Sequence, residues 1–133
     1  MGILVDTCFF IDLERGKKPE VLAMYAEEDF FISAVTLSEL LLGWHLAKTS
    51  EIAKKRKHFI DKIANETTIL DFNTEIAKLH AEYGAMLLQK NTPIGPHDLL
   101  IAATAQYYKY PLMTRNIREF SRLSELQIIP YQI

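Results

Sequence analysis

Three carboxylates and one amide, Asp6, Glu39, Asp98 and Asn116, sit beside apolar runs rather than in the polar stretches of the chain. Asp6 ends the run "ILV" (3–5), and Asn116 follows "PLMT" (111–114). Glu39 and Asp98 open apolar segments of helical spacing, "TLSELLLGWHLA" (36–47) and "HDLLIAATAQYYK" (97–109). Each acid has an ordinary explanation. Asp6 can cap a helix, "TLSE" fits a capping box in which Glu39 reaches back to the Thr36 amide, and Asp98 complements a helix dipole. Gathered together, they would repel. Two unit charges ~4 Å apart cost about 4 kcal/mol at an effective dielectric near 20. A cation between them removes that cost. Carboxylate and amide oxygens select a hard ion, Mg²⁺ or Mn²⁺. The chemistry that suits such a site is phosphoryl hydrolysis by water, with Asp98 or Asp6 orienting or deprotonating the attacker. No Ser-His or Cys-His nucleophile is indicated.

Whether the acids meet depends on the elements that carry them. Short apolar runs at 3–5, 30–33, 68–70, 111–114 and 127–129 read as strands. Helical patterns cover 7–16, 19–28, 36–47, 50–65, 74–90 and 97–109, with a helical turn at 116–123 and a breaker-rich loop, "NTPIGP", at 91–96. Strands alternating with helices predict an α/β fold, a three-layer α/β/α sandwich around a parallel five-stranded sheet. The helix pairs between strands two and three, and three and four, exceed a minimal crossover, so one helix of each pair must run obliquely or a loop must cross back. In a parallel sheet the helix starts share an edge with the strand carboxyl ends, where ligands bind. Asp6, Glu39, Asp98, Thr114 and Asn116 then fall on one rim.

Composition sets the wider frame. The 133 residues suit one domain, 1–133, with 49% apolar and 24% charged residues and a net charge of −2. That charge argues mildly against a general nucleic-acid binder, so any such role rests on local clusters. Cys8 is the only cysteine and excludes an internal disulfide. No signal peptide is apparent and no apolar stretch reaches the ~18 residues of a membrane span, so a cytoplasmic protein is expected. The four histidines, His45, His58, His80 and His97, lack metal-binding spacing; only His97, beside Asp98, is close to the acids.

The segments "LVDTCFFID", "SAVTLSELLLG", "PIGPHDLLIAATA" and "LMTRNIREFSRL", in this order and spacing, resemble the PIN-domain ribonucleases, and most closely the VapC-type toxins of toxin–antitoxin pairs. The resemblance spans roughly residues 2–130. It implies a Mg²⁺- or Mn²⁺-dependent RNA endonuclease. It places Asp6, Glu39 and Asp98 at three acidic metal positions and Thr114 at a supporting hydroxyl. The fourth position, often aspartate, is Asn116 here, an oxygen without a charge, which weakens the case for a tightly bound second metal. Glu119, one turn later, is either outer charge for the site or a solvated helix residue. The family also implies a homodimer and a cognate antitoxin that inserts a segment near the acids. "LLLGW" (40–44) has apolar surplus that suits a partner, although core packing explains each residue singly.

RNA needs cations. Arg115, Arg118 and Arg122, spaced i, i+3 and i+7, share a face if 115–122 is helical, and either contact phosphates or form a solvated face. "KKRKH" (54–58) is a second candidate, better explained as a solvated face. Phe9 or Phe10 can stack on a base, with core burial the alternative. Rival readings are a receiver-like phosphoacceptor domain, using Asp6, Asp71 and Thr114, and a catalytically silent binding module of the same fold. The receiver lacks its second strand-one acid and its lysine after strand five, where "QIIPYQI" stands. An aspartate-nucleophile phosphatase needs an acid where Cys8 stands.

Overall fold

The computed structural model describes residues 1–133. Five short strands form: β1 (Gly2–Val5), β2 (Asp29–Ser33), β3 (Thr68–Leu70), β4 (Leu112–Thr114) and β5 (Ile128–Pro130). They pair in parallel in the order β3-β2-β1-β4-β5. The register aligns Leu4 with Leu112 and with Phe31, so β1 is central and buried on both faces. Its side chains alternate. Ile3 and Val5 enter one core cluster with Phe9, Ile32, Leu40, Ile60 and Met113. Leu4 enters the other with Leu87, Ile101, Leu112 and Phe120. Gly2 opens the strand because a Cβ there would stand 2.6 Å from the Tyr110 ring.

Seven helices cover the faces: α1 (Thr7–Glu14), α2 (Val21–Met24), α3 (Ala34–His45), α4 (Ser50–Glu66), α5 (Thr74–Gln89), α6 (Pro96–Tyr108) and α7 (Ile117–Phe120). α1, α3 and α4 line the first cluster, and α5 and α6 the second. The α3–α4 pair joins β2 to β3, and the α5–α6 pair carries the chain from edge strand β3 past β2 and β1 to β4. The three-layer α/β/α arrangement is the expected one, and no helix is long and apolar enough to cross a membrane.

Three element expectations are corrected. The helix expected over 19–28 shrinks to Val21–Met24. Acids at a helix C-terminus oppose its dipole, and Glu28 instead pairs with the Met1 amino group at 2.8 Å, beside the start of β1. The helix expected from residue 36 begins at Ala34, capped by Ser33, whose hydroxyl accepts from the Val35 amide at 3.1 Å. The capping box over 36–39 therefore does not form, and Glu39 lies in the second turn, not the first. The turn expected over 116–123 is helical only at Ile117–Phe120, too short to align Arg115, Arg118 and Arg122 on one helical face.

Candidate functional site

Asp6 is the first residue past β1 and the cap of α1. Its Oδ1 accepts from the Thr7 amide at 2.8 Å. Its Oδ2 accepts from the Thr114 hydroxyl at 2.7 Å and the Cys8 thiol at 3.2 Å. β1 supplies the carboxylate and its neighbour β4 supplies Thr114, so pairing of two central strands brings together residues 108 apart in sequence. Asp6 is 3% exposed. Burial pushes its carboxyl up, against the pull of the Thr114, Cys8 and Thr7 donors, and the Glu39 charge adds to the rise.

Glu39 reaches the same rim from α3. Its Oε1 accepts from the Thr7 hydroxyl at 2.8 Å. The Thr36 hydroxyl lies 2.9 Å from that of Thr7. A hydroxyl has one proton, so Thr7 gives its own to Glu39 and takes one from Thr36. The fully buried Thr36 thus serves the site in place of a cap. Glu39 Oε2 lies 3.5 Å from His97 Nδ1 in the first turn of α6.

Asp98 stands in that same first turn, which Pro96 starts. The Asn116 amide nitrogen donates to Asp98 Oδ2 at 3.3 Å and to Glu119 Oε2 at 3.1 Å, while the Asn116 backbone amide donates to the Thr114 hydroxyl at 2.9 Å. Asn116 is a neutral tie between two carboxylates. Glu119 joins the cluster and is not the solvated helix residue that spacing allowed. Asp98 has its carboxyl pushed up to about 7, by burial first, then the Asp6 charge, a shared proton with Glu119, and the charges of Glu119 and Glu39. Glu119 is held down by hydrogen bonds from Asn116 and Asp98, helped by the charges of Arg122 and Arg118. Four acids and an asparagine thus meet at one rim, as the topology requires.

The other candidates divide. Arg115 is engaged: its Nε and Nη2 donate to Asp12 at 2.8 and 3.3 Å. Arg122 donates to the Pro93 carbonyl at 2.6 Å. Phe9 and Phe10 are both buried in the core, so neither is free to stack on a base. Within "KKRKH", Arg56 is tied to Glu14 and the Gly43 carbonyl, and Lys57 to Asp61. Asp71 follows β3, an edge strand two places from β1, so the acids a receiver needs do not meet. Thr7, Thr36, Asp12 and Tyr131 have roles around the acids that no local pattern disclosed.

The PIN-domain family profile matches residues 3–126. The chain belongs to the PIN-domain family. A Ribonuclease VapC of Rickettsia bellii is 37% identical to this PIN domain, over 97% of this chain and 96% of that protein. The tRNA(fMet)-specific endonuclease VapC of Salmonella typhimurium is 32% identical, over 73% of this chain and 71% of that protein. Among solved structures, VapBC2 from Rickettsia felis bound to a promoter DNA fragment matches with a TM-score of 0.89 at 26% identity, covering 99% of this chain and 100% of that one. DNA-bound VapBC from Salmonella typhimurium matches at 0.86 and 26%, covering 98% of each chain.

The crowding of anions in this PIN domain has a measurable sign. Folded Asp98 keeps its proton up to about pH 7, while an unfolded aspartate releases it near ~4. Between those values the folded chain binds the extra proton, so stability falls as pH rises through the window. Asp98→Asn removes this loss. Asp98 is only half-buried and solvent screens it, so the gain is discounted to about 1 kcal/mol, or about 4 °C in Tm. The expected result is a higher melt for the variant at pH 8 in chelator, with the gap closing towards pH 4. An equal or lower melt at pH 8 means that the acids do not strain the fold.

Proposed function

We propose that this PIN domain is a divalent-metal-dependent RNA endonuclease that hydrolyses phosphodiester bonds with water, and the toxin of a toxin–antitoxin pair. The observation that carries the reading is the meeting of Asp6, Glu39, Asp98 and Glu119 at one rim, where burial first and the neighbouring charges second push the Asp98 carboxyl up to about 7. Such a rim is comfortable with a cation in it and strained without one. No three of its His, Cys, Asp and Glu side chains form a ready-made metal cage. Mg²⁺ does not need one, because it keeps several waters and takes one or two carboxylates directly. The donor set therefore fits Mg²⁺ or Mn²⁺, held by Asp6, Glu39 and Asp98 directly or through water, with Asn116 and Glu119 assisting.

When bound, the ion polarises a phosphate oxygen and lowers the pKa of the attacking water. The chain's own residues do the rest. Asp6, fixed by Thr7, Cys8 and Thr114, is the immobile member. Thr7 orients Glu39. Asp98, in the first turn of α6 and tied to Asn116, is placed at the rim to orient the attacking water or accept its proton. Arg118 and Arg122, whose charges already act on Glu119, offset the negative rim for an incoming phosphate.

The names of the relatives support ribonuclease activity, and the VapBC complexes support a cognate antitoxin. Leu42 and Leu46, 57% and 68% exposed near the end of α3, suit a second copy in a homodimer. A single domain over residues 1–133 and a cytoplasmic location complete the reading.

The test is incubation of purified protein with total tRNA, including the initiator, in Mg²⁺, Mn²⁺ or EDTA. Discrete fragments should form with either ion and not with EDTA. Cutting in EDTA ends the metal assignment. Intact RNA under every condition leaves a silent binding module.

A further inference from the structure

Behind Asp6 lies a second polar cluster that the proposed chemistry does not use. Asp12, in α1, is 1% exposed. Arg115 holds it with a two-pronged contact, Nε to Oδ2 at 2.8 Å and Nη2 to Oδ1 at 3.3 Å. Tyr131, just past β5, donates its hydroxyl proton to Asp12 Oδ2 at 2.8 Å. The Tyr131 oxygen also rests 3.3 Å from Cys8 Sγ. That hydroxyl has a single proton, and the Asp12 carboxylate is the stronger acceptor. The Cys8 proton is then directed to Asp6 Oδ2 at 3.2 Å. No buried side-chain polar atom is left without a partner.

The connectivity of this cluster is specific. Asp6 Oδ2 has two side-chain donors, Thr114 and Cys8. Arg115 is the chain neighbour of Thr114. Cys8 lies one helical turn before Asp12 and touches Tyr131. One ion pair, its carboxylate buried and its guanidinium partly exposed, therefore reaches both donors of the same carboxylate oxygen. It ties together three segments that come from α1, the end of β4 and the end of β5.

We propose that Asp12, Arg115 and Tyr131 are positioning residues that set the Asp6 carboxylate for its ion, and that Arg115 serves this clamp and not an RNA phosphate. The proposal rests on the reading of Asp6 as a metal-site carboxylate. Groups that orient a ligating side chain from behind typically cost about 10–100-fold in metal affinity or activity when altered.

The test uses Tyr131→Phe, which removes one oxygen, and Arg115→Lys, which keeps the charge and loses the fork. Mn²⁺ binding is read by calorimetry, kcat and KM on RNA at saturating Mn²⁺, and RNA binding against salt in EDTA. Both variants should bind Mn²⁺ about tenfold more weakly and lose kcat, with KM within about twofold. The salt slope of RNA binding should not change, because no phosphate contact is lost. A raised KM and shallower salt slope for Arg115→Lys, with parental Mn²⁺ binding in both variants, overturns the clamp and restores Arg115 to RNA. Asp6→Asn separates the two readings. If it still cuts, the metal-site reading fails; if it is dead while Tyr131→Phe and Arg115→Lys match the parent, only the clamp fails.

Discussion

Asp6→Asn keeps the fold and lowers RNA cleavage by about a thousandfold. The size follows from the charge. A unit charge ~4 Å from another is worth about 4 kcal/mol at an effective dielectric near 20, and each 1.36 kcal/mol is roughly tenfold in rate. The fold survives because asparagine is isosteric. Its oxygen still accepts from the Thr7 amide, and its nitrogen faces the Thr114 hydroxyl, which has lone pairs to accept it. Loss of a buried carboxylate that Glu39 already crowds offsets much of what is given up. Circular dichroism should match the parent, and single-turnover cleavage should be nearly absent. Cleavage at the parental rate with a matching spectrum removes Asp6 from the chemistry.

The largest stability effect is expected at Arg115→Ala, a loss of about 3 kcal/mol. Breaking a buried pair by removing one partner typically costs about 3–5 kcal/mol, because the remaining charge stays buried. The low end applies, since Arg115 itself is 43% exposed and water can reach the gap. Burial alone would raise the Asp12 carboxyl, but the hydrogen bonds from Arg115 and Tyr131 and the Arg115 charge win and leave it lowered. In the parent, Asp12 therefore adds stability above the unfolded carboxylate range and loses it as pH falls below that range. In Arg115→Ala the sign reverses, so the deficit is largest at neutral pH and shrinks in acid. Adding Asp12→Asn removes the stranded charge and should restore part of the loss. Urea unfolding at pH 7.5 and pH 4.5 checks both statements. A deficit below ~0.5 kcal/mol at pH 7.5 means that Asp12 is not dependent on Arg115.

The rim of acids was legible because it follows from topology. A parallel sheet puts strand ends and helix starts on one edge, and Asp6, Asp98 and Asn116 needed only that rule. Strand limits shifted by a residue or so. Glu39 reached the rim for a different reason than its spacing offered. "SAVTLSE" holds two competent caps, Ser33 and Thr36, and sequence alone does not rank them. Packing does, since Thr36 is fully buried against Thr7. The shared helical face of Arg115, Arg118 and Arg122 did not form, because their periodicity assumed a helix that ends at Phe120. Asp12, Arg115 and Tyr131 were illegible as a unit. Their contacts span 103 and 119 residues, and no local period marks them.

Strand order has a consequence for how such a chain is made. Asp6 leaves the ribosome early, but Thr114, Asn116 and Glu119 come from the last fifth of the message, and β4 must dock beside β1 before the rim closes. A chain halted before β4 carries Asp6, Glu39 and Asp98 but neither the strand that docks beside β1 nor Thr114, Asn116 and Glu119, so its rim is unassembled and it is harmless to the RNA that is making it. Stalled chains ending before residue 112 should leave RNA intact, and cleavage by them would show that the late residues are dispensable.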